Sequence, residues 1–251
     1  KRDWSSNVCS SDLHAITKLS HIHFVSNEDA KKRLIQMGES DKCIFVIGSP
    51  DIDVMYSDEL PSISEVKSHY DIQFDKYAIF IFHPVTTEIQ TLEQQIREIV
   101  SALIESKKNY VVIYPNNDSG SDIILKEYEQ LKNMNNFKVL PSVRFEYFLT
   151  LLKESKLLIG NSSAGIKESE VYGIPTINIG TRQKNRTKSG NIINVDSSKN
   201  QILNAITQIE NKKIEKSNYF GDGKSSQRFF EIIINPTIWK TSIQKQFIDL
   251  I

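Results

Sequence analysis

Between residues 77 and 209, short runs of apolar residues alternate with longer stretches that read as helices. Tyr77–Phe82, Tyr110–Tyr114, Phe137–Leu140, Leu157–Ile159 and Pro175–Ile179 are predicted strands. Thr87–Ser106, Ser121–Lys132, Phe145–Ser155, Gly165–Tyr172 and Lys199–Ile209 are the helices that follow them. Strands that are apolar at nearly every position must be covered on both faces. With a helix after each, they predict βαβ units, a parallel sheet between two helical layers, and right-handed connections.

The flanks carry the same kind of signal. His21–Val25 and Cys43–Ile47 read as strands, and Glu28–Met37 as a helix capped by Ser26 or Asn27 and stopped at Gly38. Gly48-Ser49-Pro50 breaks the chain straight after a strand, which suggests a crossing between domains. Near the end, Arg228–Ile234 and Ile238–Phe247 read as helices split by Asn235-Pro236. The first thirteen residues, Lys1–Leu13, are polar, Ser-rich and without period, so they are expected to be an extraneous or disordered leader.

Composition narrows the function. Lys plus Arg equals Asp plus Glu at 31 each, so no net basic field draws in nucleic acid, and an anion must be held by a local site. Two cysteines, Cys9 and Cys43, make no disulfide framework and no zinc spacing, which suits a reducing cytoplasm. There is no apolar run long enough to cross a membrane and no signal-peptide core. No G-x-G-x-x-G or P-loop is present, so NAD and ATP sites are unsupported.

Ligands of open parallel sheets bind beyond the C-terminal ends of the strands. The residues at those ends are His83-Pro84-Val85-Thr86-Thr87-Glu88, Pro115-Asn116-Asn117-Asp118-Ser119-Gly120, Pro141-Ser142-Val143-Arg144, Gly160-Asn161-Ser162-Ser163-Ala164-Gly165 and Gly180-Thr181-Arg182-Gln183. The Gly160–Gly165 turn runs from a strand into a helix, where free N–H groups and two hydroxyls suit phosphate oxygens; a serine cap explains the same residues. Glu168, one turn on, is either a ribose-binding carboxylate or a first-turn acid. Arg182 and Arg186 could neutralise a pyrophosphate or stand in solvent. His83 is either a proton shuttle or phosphate donor, or a structural histidine. Asp118–Asp122 is explained by helix capping, and the basic run Asn211–Lys216 by a solvated face.

HPVTTE (83–88), YPNNDSGS (114–121), IGNSSAGIKESEVYGIP (159–175) and INIGTRQKNR (177–186) resemble, in order and spacing, the hydrolysing UDP-N-acetylglucosamine 2-epimerases. The branch that it resembles is the one that makes N-acetylmannosamine for sialic acids, and HAITKLSHIHFVSNEDAKKRLIQMGE (14–39) and Tyr219–Gly223 fit it too. The resemblance implies the C-terminal domain of a two-domain glycosyltransferase-B-type fold: a Rossmann-like α/β domain with UDP bound mainly to it. Residues 14–48 would be a remnant of the N-terminal domain, 49–235 the UDP-binding domain and 236–251 a C-terminal helix. Ser162 and Ser163 would hold phosphate, Glu168 the ribose, Arg182 the diphosphate region and Val143 the uracil through its backbone. Asn116 would lie nearby in the cleft, and His83 would touch the substrate at the departing diphosphate. The implied reaction is elimination of UDP to a 2-acetamidoglucal, then hydration with inversion at C2. No metal or redox cofactor is implied. The family's proton-transferring carboxylates lie in its N-terminal domain, so this chain is expected to bind UDP weakly and to be inactive. A homo-oligomer is expected of the full-length enzyme. A related branch acts on UDP-diacetamido-bacillosamine, and a glycosyltransferase donor domain would share the fold and the UDP site.

Overall fold

The computed structural model describes residues 10–183, 190–209, 214–246 and 248. Its elements fall into two compact units, one made of 1–57 with 218–251 and the other of 58–217. Residues 49–57 and 218–235, expected in the UDP-binding domain, therefore belong to the first unit.

In the first unit, α1 (Ser10–Leu19) starts inside the segment expected to be a leader; Lys1–Cys9 lie outside the described residues. β1 (His23–Val25) and β2 (Ile44–Val46) pair in parallel around α2 (Glu28–Gln36), whose N-terminus is capped by the Asn27 side chain accepting from the Ala30 N–H. After Gly48 the chain enters α3 (Pro50–Met55). The Asp53 carboxylate accepts from the Ser225 and Ser226 N–H groups, at 2.9 and 2.7 Å. These amides open helix α10 (Ser225–Ile233), so a carboxylate from another segment satisfies donors that no helix start can satisfy internally. Residue 238 onward is not the expected α-helix: among the described residues it forms a single 3-10 turn, Ile238–Lys240. Side-chain clasps hold it instead. Glu39 is buried and accepts from Lys18, His23 and Lys245, and Lys245 also donates to the carbonyls of Thr17, Lys18 and Ser20.

The second unit is the sheet domain. Its strands are β3 (Ala78–Ile81), β4 (Tyr110–Ile113), β5 (Phe137–Leu140), β6 (Leu157–Gly160), β7 (Thr176–Ile179) and β8 (Ile192–Val195). All neighbours pair in parallel, in the order β5-β4-β3-β6-β7-β8. The expected α/β class with a Rossmann-like parallel sheet is present. Five strands were legible in the sequence; β8 was not, because Ile192-Ile193-Asn194-Val195 is an edge strand with a polar residue inside it. α4 (Ile63–Tyr70), also unforeseen, buries only Val66.

The layers follow from the side-chain period of two. Phe80, Val112, Ile159 and Ile177 pack into one cluster with α5 (Ile89–Glu105), α6 (Ser121–Tyr128) and α9 (Lys199–Ile209). Ile79, Val111 and Leu158 alternate with them and are equally buried, on the side covered by α4, α7 (Phe145–Glu154) and α8 (Glu168–Tyr172). α5 recurs at Leu92, Ile96, Ile99, Val100 and Leu103, one apolar stripe of a 3.6-residue period, each residue 1% exposed or less. Burying each stabilises the domain by roughly 1.5–3 kcal/mol.

The strand order reverses direction between β3 and β6, which opens a crevice between the chains leaving their C-terminal ends. Gly160 makes that junction close. Its φ is +134°, and a Cβ there would lie 1.8 Å from the Ile81 carbonyl oxygen. The Asn161 N–H donates to the same oxygen, at 3.1 Å.

Two outcomes follow. Gly160→Ala should cost more than about 3 kcal/mol in urea unfolding, because the clash is with backbone; a loss under ~1 kcal/mol would disprove the close approach. Burial alone would raise the Glu39 pKa, but hydrogen bonds from Lys245, Lys18 and His23 outweigh it and hold the carboxyl down at about 2. A carboxyl lowered on folding stabilises above its unfolded pKa and loses that contribution as pH falls through the folded one. Glu39→Gln should therefore cost roughly 2 kcal/mol at neutral pH, with the difference closing between pH 4.5 and about 2. A difference that does not change with pH would sink this account.

Candidate functional site

At the C-terminal rim of the six-stranded sheet, Asn161 organises three strand ends. Its side chain accepts from the His83 N–H at 2.7 Å and donates to the His83 carbonyl at 2.8 Å, locking the residue that follows β3 to the residue that follows β6. Its own carbonyl accepts from Arg182 Nη1 at 3.1 Å and Gln183 Nε2 at 3.2 Å, which brings in the chain after β7. The residue is 1% exposed, so all of these bonds are made out of water, where an unpaired amide would be costly. Asn161 was noted in the sequence only as part of the turn.

His83 is held from a second side. The Asn116 N–H donates to His83 Nδ1 at 3.0 Å, and the Asn116 side chain donates to Asp118. Burial and then the Arg182 charge push the imidazole down to a pKa of about 4, against smaller opposing effects of Asn116 and Asp118. The ring is therefore neutral at physiological pH. With Nδ1 already accepting, its proton sits on Nε2, and the side chain offers that N–H as a donor.

The turn after β6 differs from the expectation. A continuous helix from Gly165 to Tyr172 was predicted; the structure has a 3-10 turn at Ser163–Gly165 and then only the five-residue α8. The Ser162 hydroxyl accepts from the Ala164 N–H at 3.3 Å, so the capping reading is realised there, and its O–H remains a donor. Ser163 is exposed on the same turn. Gly165 sits where a Cβ would lie 2.7 Å from Thr176 Cγ2, which is why this turn can lie flat on β7. Thr181 donates to Glu88, tying the chain after β7 to the turn after β3.

The rim thus joins His83, Asn116, Asn161 and Arg182 through direct hydrogen bonds, with Ser162 and Ser163 next in sequence to Asn161. Glu168 begins α8, half-buried. Val143 follows β5, the edge strand, two strands from β3, and among the described residues no hydrogen bond links it to the others. Arg186 lies outside the described residues. Two further acceptors were not anticipated: Asn116 Oδ1 and Gln183 Oε1 are buried without a partner among the described residues. An unpaired buried acceptor costs about 1–3 kcal/mol, and a ligand N–H or O–H would recover it. Among the described residues no group of three His, Cys, Asp or Glu could hold a metal ion, and no helix is long and apolar enough to cross a membrane.

Residues 13–234 match the family described as UDP-N-acetylglucosamine 2-epimerase. The chain is 48% identical over 250 residues to a protein of that name from Neisseria meningitidis, covering 98% of this chain and 66% of the relative. It is 37% identical to the polysialic acid biosynthesis protein P7 of Escherichia coli, covering 80% and 52%, and 32% identical to a UDP-N,N'-diacetylbacillosamine 2-epimerase of Legionella pneumophila, covering 88% and 59%. The chain thus spans between 52% and 66% of the length of these relatives. The fold is similar to a Neisseria meningitidis UDP-GlcNAc 2-epimerase bound to UDP-GlcNAc, with TM-score 0.73, 20% identity, and 89% of this chain and 64% of the other covered. A Methanocaldococcus jannaschii UDP-GlcNAc 2-epimerase gives TM-score 0.69 at 23% identity, covering 87% and 63%. The likeness places the fold among those of the glycosyltransferase-B type.

A neutral His83 has a measurable consequence. Its folded pKa lies below its unfolded value, so the unfolded chain binds the extra proton, and this group's contribution to stability falls as pH drops from 6.5 to about 4. NMR should show the His83 imidazole still neutral at pH 5, its signals identified by their absence from His83→Gln. A His83 midpoint at or above 6.5 would overturn the neutral-donor geometry.

Proposed function

This chain belongs to the UDP-N-acetylglucosamine 2-epimerase family, and from that we propose that the rim of its six-stranded sheet holds the UDP of a sugar nucleotide undergoing hydrolysing 2-epimerisation. In this reaction the C1–O bond to UDP breaks as C2 loses its proton. Water then adds across the C1–C2 double bond of the 2-acetamidoglucal, with the proton arriving at C2 from the opposite face. The products are UDP and N-acetylmannosamine. The observation that carries the reading is the convergence of Arg182 and a neutral, Nε2-donating His83 on Asn161 at the switch point.

Charge builds on UDP as it departs, and pre-set donors stabilise it without reorganising. Arg182 neutralises the diphosphate, and Ser162 and Ser163 donate hydroxyls to its oxygens. His83 donates from Nε2 near the breaking bond; a ring with pKa about 4 is a hydrogen-bond donor at neutral pH rather than an acid. Glu168 accepts from the ribose hydroxyls, the Val143 backbone meets the uracil, and Asn116 offers its unpartnered Oδ1 within the cleft. The substrate is UDP-N-acetylglucosamine, in the cytoplasm, and the enzyme works as a homo-oligomer. Identity favours this sugar: 48% to the Neisseria relative against 32% and 33% to the two relatives named for diacetylbacillosamine.

Calorimetric titration of UDP into the chain tests the site. Weak binding is expected, at least tenfold weaker in Arg182→Ala, as loss of about 1.5–3 kcal/mol from a charge-assisted bond requires, and roughly threefold weaker in Ser163→Ala. UDP affinity indifferent to Arg182→Ala, or no binding by the folded chain, would show that the rim is not the nucleotide site.

A further inference from the structure

The other end of the same sheet carries a second concentration of charge. β4, β3 and β6 are neighbours and run parallel, so their N-terminal ends share one edge, opposite the rim that holds His83 and Arg182. Lys76 leads into β3, Lys107 and Lys108 into β4, and Lys156 into β6. All four line one cavity of about 540 Å³, a size ordinary for a small-molecule site.

The lining is two-sided in chemistry. Leu157 and Ile209, 4% and 3% exposed, form an apolar floor with Pro175. Tyr77 is buried beside them, its hydroxyl committed to the Leu151 carbonyl at 2.8 Å. The lysines supply the polar part. Lys76, Lys107 and Lys156 are exposed, and among the described residues none of these three forms an ion pair. Like charges gathered on one opening repel, and an anion relieves that repulsion. Lys107 adds a backbone observation: it sits at φ +54°, a left-handed conformation that costs an L-residue roughly 1–2 kcal/mol and that glycine or asparagine adopts more readily.

We propose that this cavity binds a small organic anion, its apolar body on the Leu157–Pro175–Ile209 floor and its carboxylate, sulfonate or phosphate held by Lys76, Lys107 and Lys156. The site is independent of the nucleotide rim. β3 and β6 separate the two by four residues each, about 13 Å of strand, so both can be filled at once.

The probe is 1-naphthalenesulfonate, titrated into isotope-labelled chain and followed by amide shifts, with neutral 1-naphthalenemethanol as control. Saturable shifts are expected at Lys76, Ala78, Lys107, Asn109 and Leu157. Affinity should be at least fivefold weaker for the alcohol, at least fivefold weaker for the sulfonate in the Lys76→Gln/Lys156→Gln double variant, and unchanged by saturating UDP. Both substitutions are at exposed positions, and an unchanged amide spectrum elsewhere verifies the fold. The proposal is overturned if the alcohol binds as tightly as the anion, if the double variant binds the sulfonate with unaltered affinity, or if the shifts appear only at other surfaces.

Discussion

The close approach of β6 to β3 at Gly160 is the constraint on which the rim depends. Only a residue without a Cβ lets the chain pass the Ile81 carbonyl there, and that passage delivers Asn161 to a buried position between strands. From it, one side chain fixes His83 through both of its backbone groups, and one carbonyl gathers Arg182 and Gln183. The three loops leave the sheet as one hydrogen-bonded assembly, to which the Thr181–Glu88 bond adds a second tie. Side chains on loops hold a fixed geometry only with this kind of support from a second set of hydrogen bonds.

The electrostatics of the rim come from the same packing. His83 is kept neutral first by burial and then by Arg182, and its Nδ1 is occupied by a backbone donor. A neutral donor and a permanent cation therefore stand side by side at this rim. An imidazolium in that place would repel the guanidinium. Asn116 Oδ1 and Gln183 Oε1 are buried there without a partner among the described residues.

Much of this was legible in the sequence, for physical reasons that can be named. β3, β4 and β6 are buried on both faces, so their runs are apolar at nearly every position. α5 carries a full stripe at helical period. The ends of these elements could be read as a rim because parallel topology puts all C-terminal ends on one side. Elements with weaker burial were missed or misjudged. β8 is an edge strand, α4 buries one apolar residue, and the segment after Ile238 has helical composition but is held by Lys245 and its carbonyl and carboxylate partners rather than by its own turns. The turn after β6 forms a tight 3-10 turn and a short helix, because the geometry that lets Gly165 rest on Thr176 is set by β7, not by local propensity.

The sequence by itself determined the class of fold and the types of residue at the strand ends, since both follow from periodicity and from the residues that end each strand. It could not decide which of those residues act together. Capping and phosphate binding at Ser162, a structural or a functional His83, and a solvated or a site-directed Arg182 are equivalent in one dimension. Only the tertiary structure brings these residues together, because the contacts join positions 78 and 21 residues apart, from His83 to Asn161 and from Asn161 to Arg182. The pairing of β6 with β3 on one side and β7 on the other brings them within hydrogen-bond reach, and burial there gives each bond its weight.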